Sequence, residues 1–171
     1  VREIIGQAGL DVIALGPGDA KTEVRLVQSI LAESQRTNIR FYLVDASQPL
    51  LCRGFRHAMD SFGDDPGIFV CGIQGNFHHL PRYMQLHYTP ARSHRRRLYT
   101  LLGATLGNLD QEPQFFRHAL SGAVSGDLLL FDVEYSQIES NDPKEILKGD
   151  PAFAAPIASE NLRWLAGPIQ R

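Results

Sequence analysis

Two glycines and one carboxylate stand where a chain could bind a ligand that contains a ribose. The apolar run Val12–Leu15 is followed by Gly16-Pro-Gly18, and a second apolar run, Phe41–Val44, ends at Asp45. Glycines at a strand end let the backbone approach a ligand closely because no Cβ intervenes. An acid at the tip of the next strand can accept hydrogen bonds from both ribose hydroxyls. These residues predict the cofactor-binding half of a nucleotide crevice.

The spacing of the glycine turn argues against the two phosphate-binding motifs. A P-loop needs a glycine directly before Lys-Ser/Thr, and Ala20 stands there, before Lys21-Thr22. The dinucleotide fingerprint of NAD-type oxidoreductases needs a third glycine where this chain has Lys21. S-adenosyl-L-methionine (SAM) carries ribose and adenine without phosphate, and it is the remaining candidate. The alternative without any ligand is a tight turn at Gly16-Pro-Gly18 with Asp45 as a helix-capping residue.

Apolar runs and helical stripes alternate along the chain and would position these residues. Strands are predicted at 12–15, 41–44, 68–73, 98–102 and 128–133. Helices are predicted at 22–34, 48–58, 80–86 and 113–123, with Ser47 as a cap and Phe115-Phe116 in the core. This alternation predicts an α/β fold with a doubly wound, Rossmann-like, mostly parallel sheet.

Composition sets the broad class. The chain has 171 residues, 43% hydrophobic and 21% charged, with a formal charge of −2. These values are typical of one globular domain, here a core at about 10–135 and an irregular or helical tail at 136–171. We expect no membrane span, because no apolar run is long enough for one. We also expect no nucleic-acid partner, since the basic cluster Arg92–Arg97 fits a solvated loop. Neither the cysteines, Cys52 and Cys71, nor the histidines have a spacing typical of metal ligands, so we expect no metal. We also expect a cytoplasmic protein, with both cysteines reduced.

Three segments resemble the SAM-dependent histidine Nα-methyltransferase family of ergothioneine biosynthesis. They are Leu15-Gly-Pro-Gly-Asp-Ala-Lys-Thr22, Val70-Cys-Gly with Gly75-Asn-Phe77, and Leu102-Gly-Ala-Thr-Leu-Gly-Asn-Leu109, which Ser125-Gly-Asp-Leu-Leu-Leu-Phe131 follows. The resemblance covers roughly residues 10–135. It implies a class I methyltransferase core that uses SAM and is truncated on its C-terminal side, as part of a larger protein.

The resemblance also implies a role for each matching residue. Gly16 and Gly18 would face the methionine and ribose parts of SAM, with Lys21 and Thr22 beside the carboxylate. Asp45 would bind the ribose hydroxyls. The remaining implied positions are Asn76 and Phe77 at the adenine, Thr105 at the transfer site and Asn108 at the amino-acid substrate. The family has Asp where this chain has Asn76, whose carbonyl can accept a hydrogen bond from the adenine amine.

The predicted function is therefore methyl transfer to an amine of an amino-acid-like or other small molecule, with histidine as one candidate. The alternative is a SAM-binding or interaction module that has kept the fold without turnover. The final antiparallel hairpin of such methyltransferases is not evident, which would leave an open sheet edge. We expect a partner domain or a second copy of the chain to cover that edge.

Overall fold

The computed structural model describes residues 9–34, 38–63, 65–87, 95–103, 105–109 and 112–132. Five strands lie in these ranges: β1 (Leu10–Leu15), β2 (Ile39–Asp45), β3 (Ile68–Gln74), β4 (Arg96–Leu101) and β5 (Leu128–Phe131). The helices are α1 (Lys21–Ser34), α2 (Gln48–Phe62), α3 (Leu80–His87) and the short α4 (Glu112–Gln114), which continues into a π-helical turn, Phe115–Ala119.

The strands form one parallel sheet in the order β3-β2-β1-β4-β5. Strand β1 lies between β2 and β4, so the chain winds outward from β1 in both directions. In such sheets, a crevice opens beyond the carboxyl ends of the strands where the winding reverses. The predicted doubly wound, Rossmann-like fold is confirmed, and its crevice lies beyond β1 and β4.

Two hydrophobic clusters cover the two faces of the sheet, which is why β1 and β2 are almost continuously apolar. Helices α1 and α2 pack on the first face, through a cluster that includes Val12, Ala14, Val24, Val27 and Leu51. Helix α3 and the π-helical turn pack on the second face, through a cluster that includes Ile13, Leu15, Tyr42, Leu80 and Phe115. The sheet is thus buried on both sides around the strand ends that form the crevice.

Arg95 joins the amino ends of β1, β2 and β4, at the end of the sheet opposite the crevice. Its Nε lies 2.6 Å from Oδ1 of Asp11, and its Nη1 donates to Oδ1 of Asn38 at 2.7 Å. Its side chain is only 8% exposed. The expectation of a solvated loop is therefore wrong for Arg95, because its guanidinium satisfies a buried carboxylate and two backbone carbonyls.

Three local expectations differ from the structure. The helix predicted at 113–123 is a short α-helix followed by the π-helical turn, and Phe116 is exposed while Phe115 is fully buried. Successive helical residues point in different directions, so only one of the pair can face the core. Ser47 occupies the cap position of α2, but its side chain makes no capping hydrogen bond. Asp45 instead accepts the Ser47 backbone N–H.

Strand β5 lies at one edge of the described sheet. Among the described residues it pairs only with β4, and its Leu129, Leu130 and Phe131 are each more than one-third exposed. The predicted tail, 136–171, lies outside the described residues, so the proposal that a partner covers this edge stays a prediction. Within the described ranges, no helix has the length and apolar character that crossing a membrane requires.

Candidate functional site

The glycine turn leaves β1 in a left-handed backbone conformation. Gly16 has φ +63° and Gly18 has φ +56°, and Ala20 follows with φ +57°. Residues with a Cβ rarely adopt such angles, which explains both glycines. The Gly16 N–H donates to the carbonyl of Val44 at 2.8 Å, so the turn is attached to the end of β2. A Cβ on Gly18 would meet no atom within 4 Å, so the backbone there borders open space.

Asp45 links the end of β2 to the glycine turn. Its Oδ1 accepts the Ser47 N–H at 2.8 Å, and its Oδ2 lies 3.4 Å from the Gly18 nitrogen. The carboxylate is buried, with 7% of the residue exposed. Two of its roughly four acceptor positions are used. The remaining positions are available to hydroxyl groups of a ligand, so the capping interpretation and the ribose interpretation are compatible.

Thr105 closes the other side of the turn. Its Oγ1 donates to the carbonyl of Gly16 at 3.1 Å and lies 2.7 Å from the Leu102 carbonyl. A methyl group added at Gly16 would lie 2.9 Å from Cγ2 of Thr105. The structure therefore brings Gly16, Gly18, Asp45 and Thr105 together across the ends of β1, β2 and β4. Asn108 lies in the following short turn, Leu106–Asn108.

The end of β3 carries the residues predicted at the adenine. Oδ1 of Asn76 accepts the His78 N–H at 2.9 Å and so caps the turn that follows. The Phe77 ring packs edge-on against Phe115, with centroids 5.8 Å apart. Phe77 is also the third-nearest contact of a Cβ built on Gly16, at 3.8 Å. An apolar wall and an amide thus stand beside the glycine turn, where a planar base could lie.

Helix α2 makes room for the turn at a residue that sequence reasoning missed. A Cβ on Gly54 would lie 2.9 Å from the Gly18 carbonyl oxygen and 3.2 Å from Cβ of Ala20. Gly54 therefore lets α2 approach the turn closely and supports its shape. A lone glycine inside a helical pattern was the available signal, because such glycines commonly have a packing reason.

The charges around the turn are mostly negative. Lys21 is exposed and its Nζ pairs with Oδ2 of Asp19 at 2.7 Å, a contact that lowers the pKa of Asp19. Glu23, in the first turn of α1, is only 2% exposed. Burial raises the pKa of Glu23 from 4.5 to about 7, with further contributions from Asp132 and Asp19. Glu23 was also missed, although it directly precedes the buried stripe of α1.

These charges bear on the class of ligand. A helix amino terminus usually attracts phosphate, but here Asp19 and Glu23 oppose a second anion at that place. A ligand whose net charge is positive is favoured there over a phosphate. Open glycine backbone, a carboxylate and an apolar wall lie together at this crevice. The described residues contain no group of three His, Cys, Asp or Glu side chains that could hold a metal ion.

Comparison with known proteins gives a consistent result. Residues 1–146 match the model of a family described as histidine-specific methyltransferase, SAM-dependent. No curated protein sequence matches the chain. Among solved structures, the chain is similar to a crystal structure of a DUF574 family protein from Streptomyces avermitilis MA-4680, with 16% sequence identity and a TM-score of 0.47. That match covers 76% of this chain and 47% of the other, so the chain spans about half the length of that protein.

Proposed function

Because the chain belongs to the SAM-dependent histidine-specific methyltransferase family, we propose that it binds SAM at the β1–β4 crevice and methylates an amine. The family's cofactor is SAM, and the fold agrees with a class I methyltransferase core. The substrate we propose is an amino acid or a similar small molecule, with histidine as one candidate. When bound, SAM would supply the methyl group: the amine nitrogen would bond to the methyl carbon as the carbon–sulfur bond breaks, which would leave S-adenosylhomocysteine and release the extra proton of the amine to solvent.

One observation carries the proposal: the glycine turn, the acid and the threonine meet at the point where the sheet winding reverses. Gly18 approaches Asp45 at 3.4 Å, and Thr105 donates to Gly16 at 3.1 Å. In parallel α/β sheets this point is where ligands bind. Lys21 is also predicted at this crevice, but its amine pairs with the exposed Asp19.

Each residue then has a defined task. Gly16 and Gly18 provide backbone that a ligand can approach, and Asp45 offers its free acceptor positions to the ribose hydroxyls. Asn76 and Phe77 border the base. Thr105 holds the turn from the β4 side, where a substrate would enter. Asn108 is the proposed contact for the substrate.

The protein's contribution to the reaction is alignment and exclusion of water. The amine must be neutral when it attacks, so the pocket must favour its deprotonated form. Holding the amine in line with the methyl group lowers the barrier through orientation. The buried Thr105 and the apolar Phe77 wall restrict water on two sides of the crevice.

The proposal is tested by calorimetry on the full-length protein, with SAM and S-adenosylhomocysteine as ligands. We expect both to bind, and Asp45→Asn to weaken SAM binding by about tenfold, since hydrogen bonds to a charged acceptor are lost. Asp65→Asn is the matched control: Asp65 precedes β3, at the end of the sheet opposite Asp45, and its Oδ1 accepts the Gly67 N–H. Mass spectrometry of histidine and related amines then measures transfer.

The outcomes separate the possibilities. If the wild type binds neither ligand, the proposal is wrong. If it binds SAM but methylates no amine, the domain is a cofactor-binding module without turnover. If Asp45→Asn and Asp65→Asn bind SAM equally well, the ribose site is not at Asp45.

A further inference from the structure

Glu23 is a buried acid that forms no ion pair with another described residue. It lies in the first turn of α1, five residues after Gly18, and is 2% exposed. The ion pairs formed by the described residues join Lys21 to Asp19, Arg95 to Asp11 and Arg97 to Asp127, and none includes Glu23. A buried carboxylate without a partner is costly, so its presence beside a ligand crevice requires an explanation.

The charged groups that raise the pKa of Glu23, beyond the effect of burial, are themselves acids. Asp132, just after β5, and Asp19, in the glycine turn, both disfavour a negative charge on Glu23. Asp132 is held in place because its Oδ2 accepts the Gly103 N–H at 2.8 Å. Asp19 is partly compensated by Lys21, whose amine is turned toward solvent. Both acids therefore add to the cost of a negative charge on Glu23.

A polar group on the α1 face of the sheet lacks a partner among the described residues. The Thr100 hydroxyl is fully buried, and no hydrogen-bond partner for it is found among the described residues. Thr100 pairs with Ala14 and with Leu130 in the sheet. Side chains alternate along strands, so Thr100 shares the α1 face with Leu98 and Ala14 of the first cluster. One unpartnered hydroxyl, that of Thr100, thus lies on the face of the sheet that α1 covers, and the buried carboxyl of Glu23 lies in the first turn of α1 itself.

From these observations we propose that Glu23 binds the α-ammonium group of the methionine part of SAM. The inference rests on the proposed function and assigns a residue to one part of that ligand. SAM carries two positive groups, but its sulfonium has no hydrogen to donate. The ammonium has three N–H donors, which is what a buried carboxylate with unused acceptor positions requires. The ammonium also brings positive charge into the region where Asp132 and Asp19 leave an excess of negative charge.

Binding of a cation beside Glu23 has a consequence for its proton. In the ligand-free protein, burial and the two acids favour the protonated carboxyl. The ammonium favours the ionised form, so binding drives the proton from the Glu23 carboxyl into solvent. At pH 7 we expect release of up to about half a proton, because the pKa of Glu23 is about 7.

The test compares wild type with Glu23→Gln in the full-length protein, by calorimetry at pH 8 with three ligands. SAM and S-adenosylhomocysteine carry the ammonium, whereas 5′-methylthioadenosine lacks the amino-acid part. We expect Glu23→Gln to weaken the first two by about tenfold or more and to leave the third unchanged. Asp60→Asn, which removes an exposed acid from α2, is the matched control and should leave all three unchanged.

A second measurement counts the protons that are released when SAM binds, in the wild type and in Glu23→Gln. SAM binding at pH 7 is measured in two buffers of different ionisation enthalpy, which gives the number of protons released. Release that disappears in Glu23→Gln supports the inference. Equal affinities of wild type and Glu23→Gln for SAM, or an equal loss for all three ligands, overturns it while the proposed function stands. A wild type that binds no SAM refutes the proposed function itself.

Discussion

Replacing Asn76 with Asp should tighten the binding of SAM. In the structure, Oδ1 of Asn76 accepts the His78 N–H at 2.9 Å, so the amide nitrogen is the group left to face the base. Adenine presents its exocyclic amine, which is also a donor, so the two groups match poorly unless Oδ1 accepts both hydrogen bonds. In Asn76→Asp, one carboxylate oxygen can keep the cap while the other accepts from the amine.

The expected gain follows from the kind of hydrogen bond formed. A hydrogen bond to a charged acceptor contributes about 1.5–3 kcal/mol, and part of this is lost because the new carboxylate must be desolvated. We therefore expect about 1.4 kcal/mol, or tenfold tighter binding, in calorimetry at pH 7.5. Asn76 is exposed, which permits the added charge without unfolding.

The control separates this contact from a general effect of charge. SAM has a net positive charge, so any added acid nearby attracts it weakly. Gln74→Glu adds the same charge two residues earlier, at an exposed position of β3. Tighter binding in Asn76→Asp than in Gln74→Glu supports the contact. If the two variants bind SAM equally, the adenine amine does not lie at Asn76 and the reasoning is refuted.

Two further predictions concern the support of the glycine turn and the buried acid. Gly54→Ala should weaken SAM binding and lower the melting temperature. Overpacking against the Gly18 carbonyl costs about 1–3 kcal/mol, which outweighs a helix-propensity gain of up to about 1 kcal/mol. The control is Gly122→Ala, whose Cβ would enter open space and which should change neither quantity. The folded-state pKa of Glu23 lies above its ordinary value, so the ligand-free wild type should lose up to roughly 3 kcal/mol of stability as the pH rises from 4.5 to 7. Glu23→Gln should lack this loss in urea unfolding measured at several pH values, and parallel curves for the two proteins would contradict it.

The fold was predictable because its central strands are buried on both faces. Strands with that environment are continuous apolar runs, such as Val12–Leu15, and the helices between them carry apolar stripes. The structure extends β1 to Leu10 and β2 to Asp45, since polar and charged residues at strand ends do not show in such a pattern. The helix at 113–123 was harder to predict, because its π-helical turn depends on how Phe115 packs.

About half of the candidate site was predictable for a similar reason. Gly16 directly follows β1, Gly18 lies two residues further on, and Asp45 is the last residue of β2, so all three are recognisable from the ends of apolar runs. Gly54 and Glu23 lie inside helices, and their importance depends on which loop or strand packs against them in the folded chain. The orientation of the Asn76 amide depends on the His78 N–H, which sequence does not specify. Sequence thus located the residues at strand ends and missed those defined by contacts between elements.

The charges around the glycine turn explain why both phosphate motifs fail in this chain. A P-loop and a dinucleotide turn leave the helix amino terminus free for an anion. Here Asp19 and the buried Glu23 already lie at that amino terminus, and Lys21 pairs with Asp19 rather than pointing into the crevice. A phosphate would bring only negative charge towards the two acids, whereas SAM carries an ammonium and a sulfonium against one carboxylate and so has a net positive charge. The acids that disfavour a phosphate are therefore the groups that favour a cofactor with net positive charge. The buried Glu23 contributes to both effects.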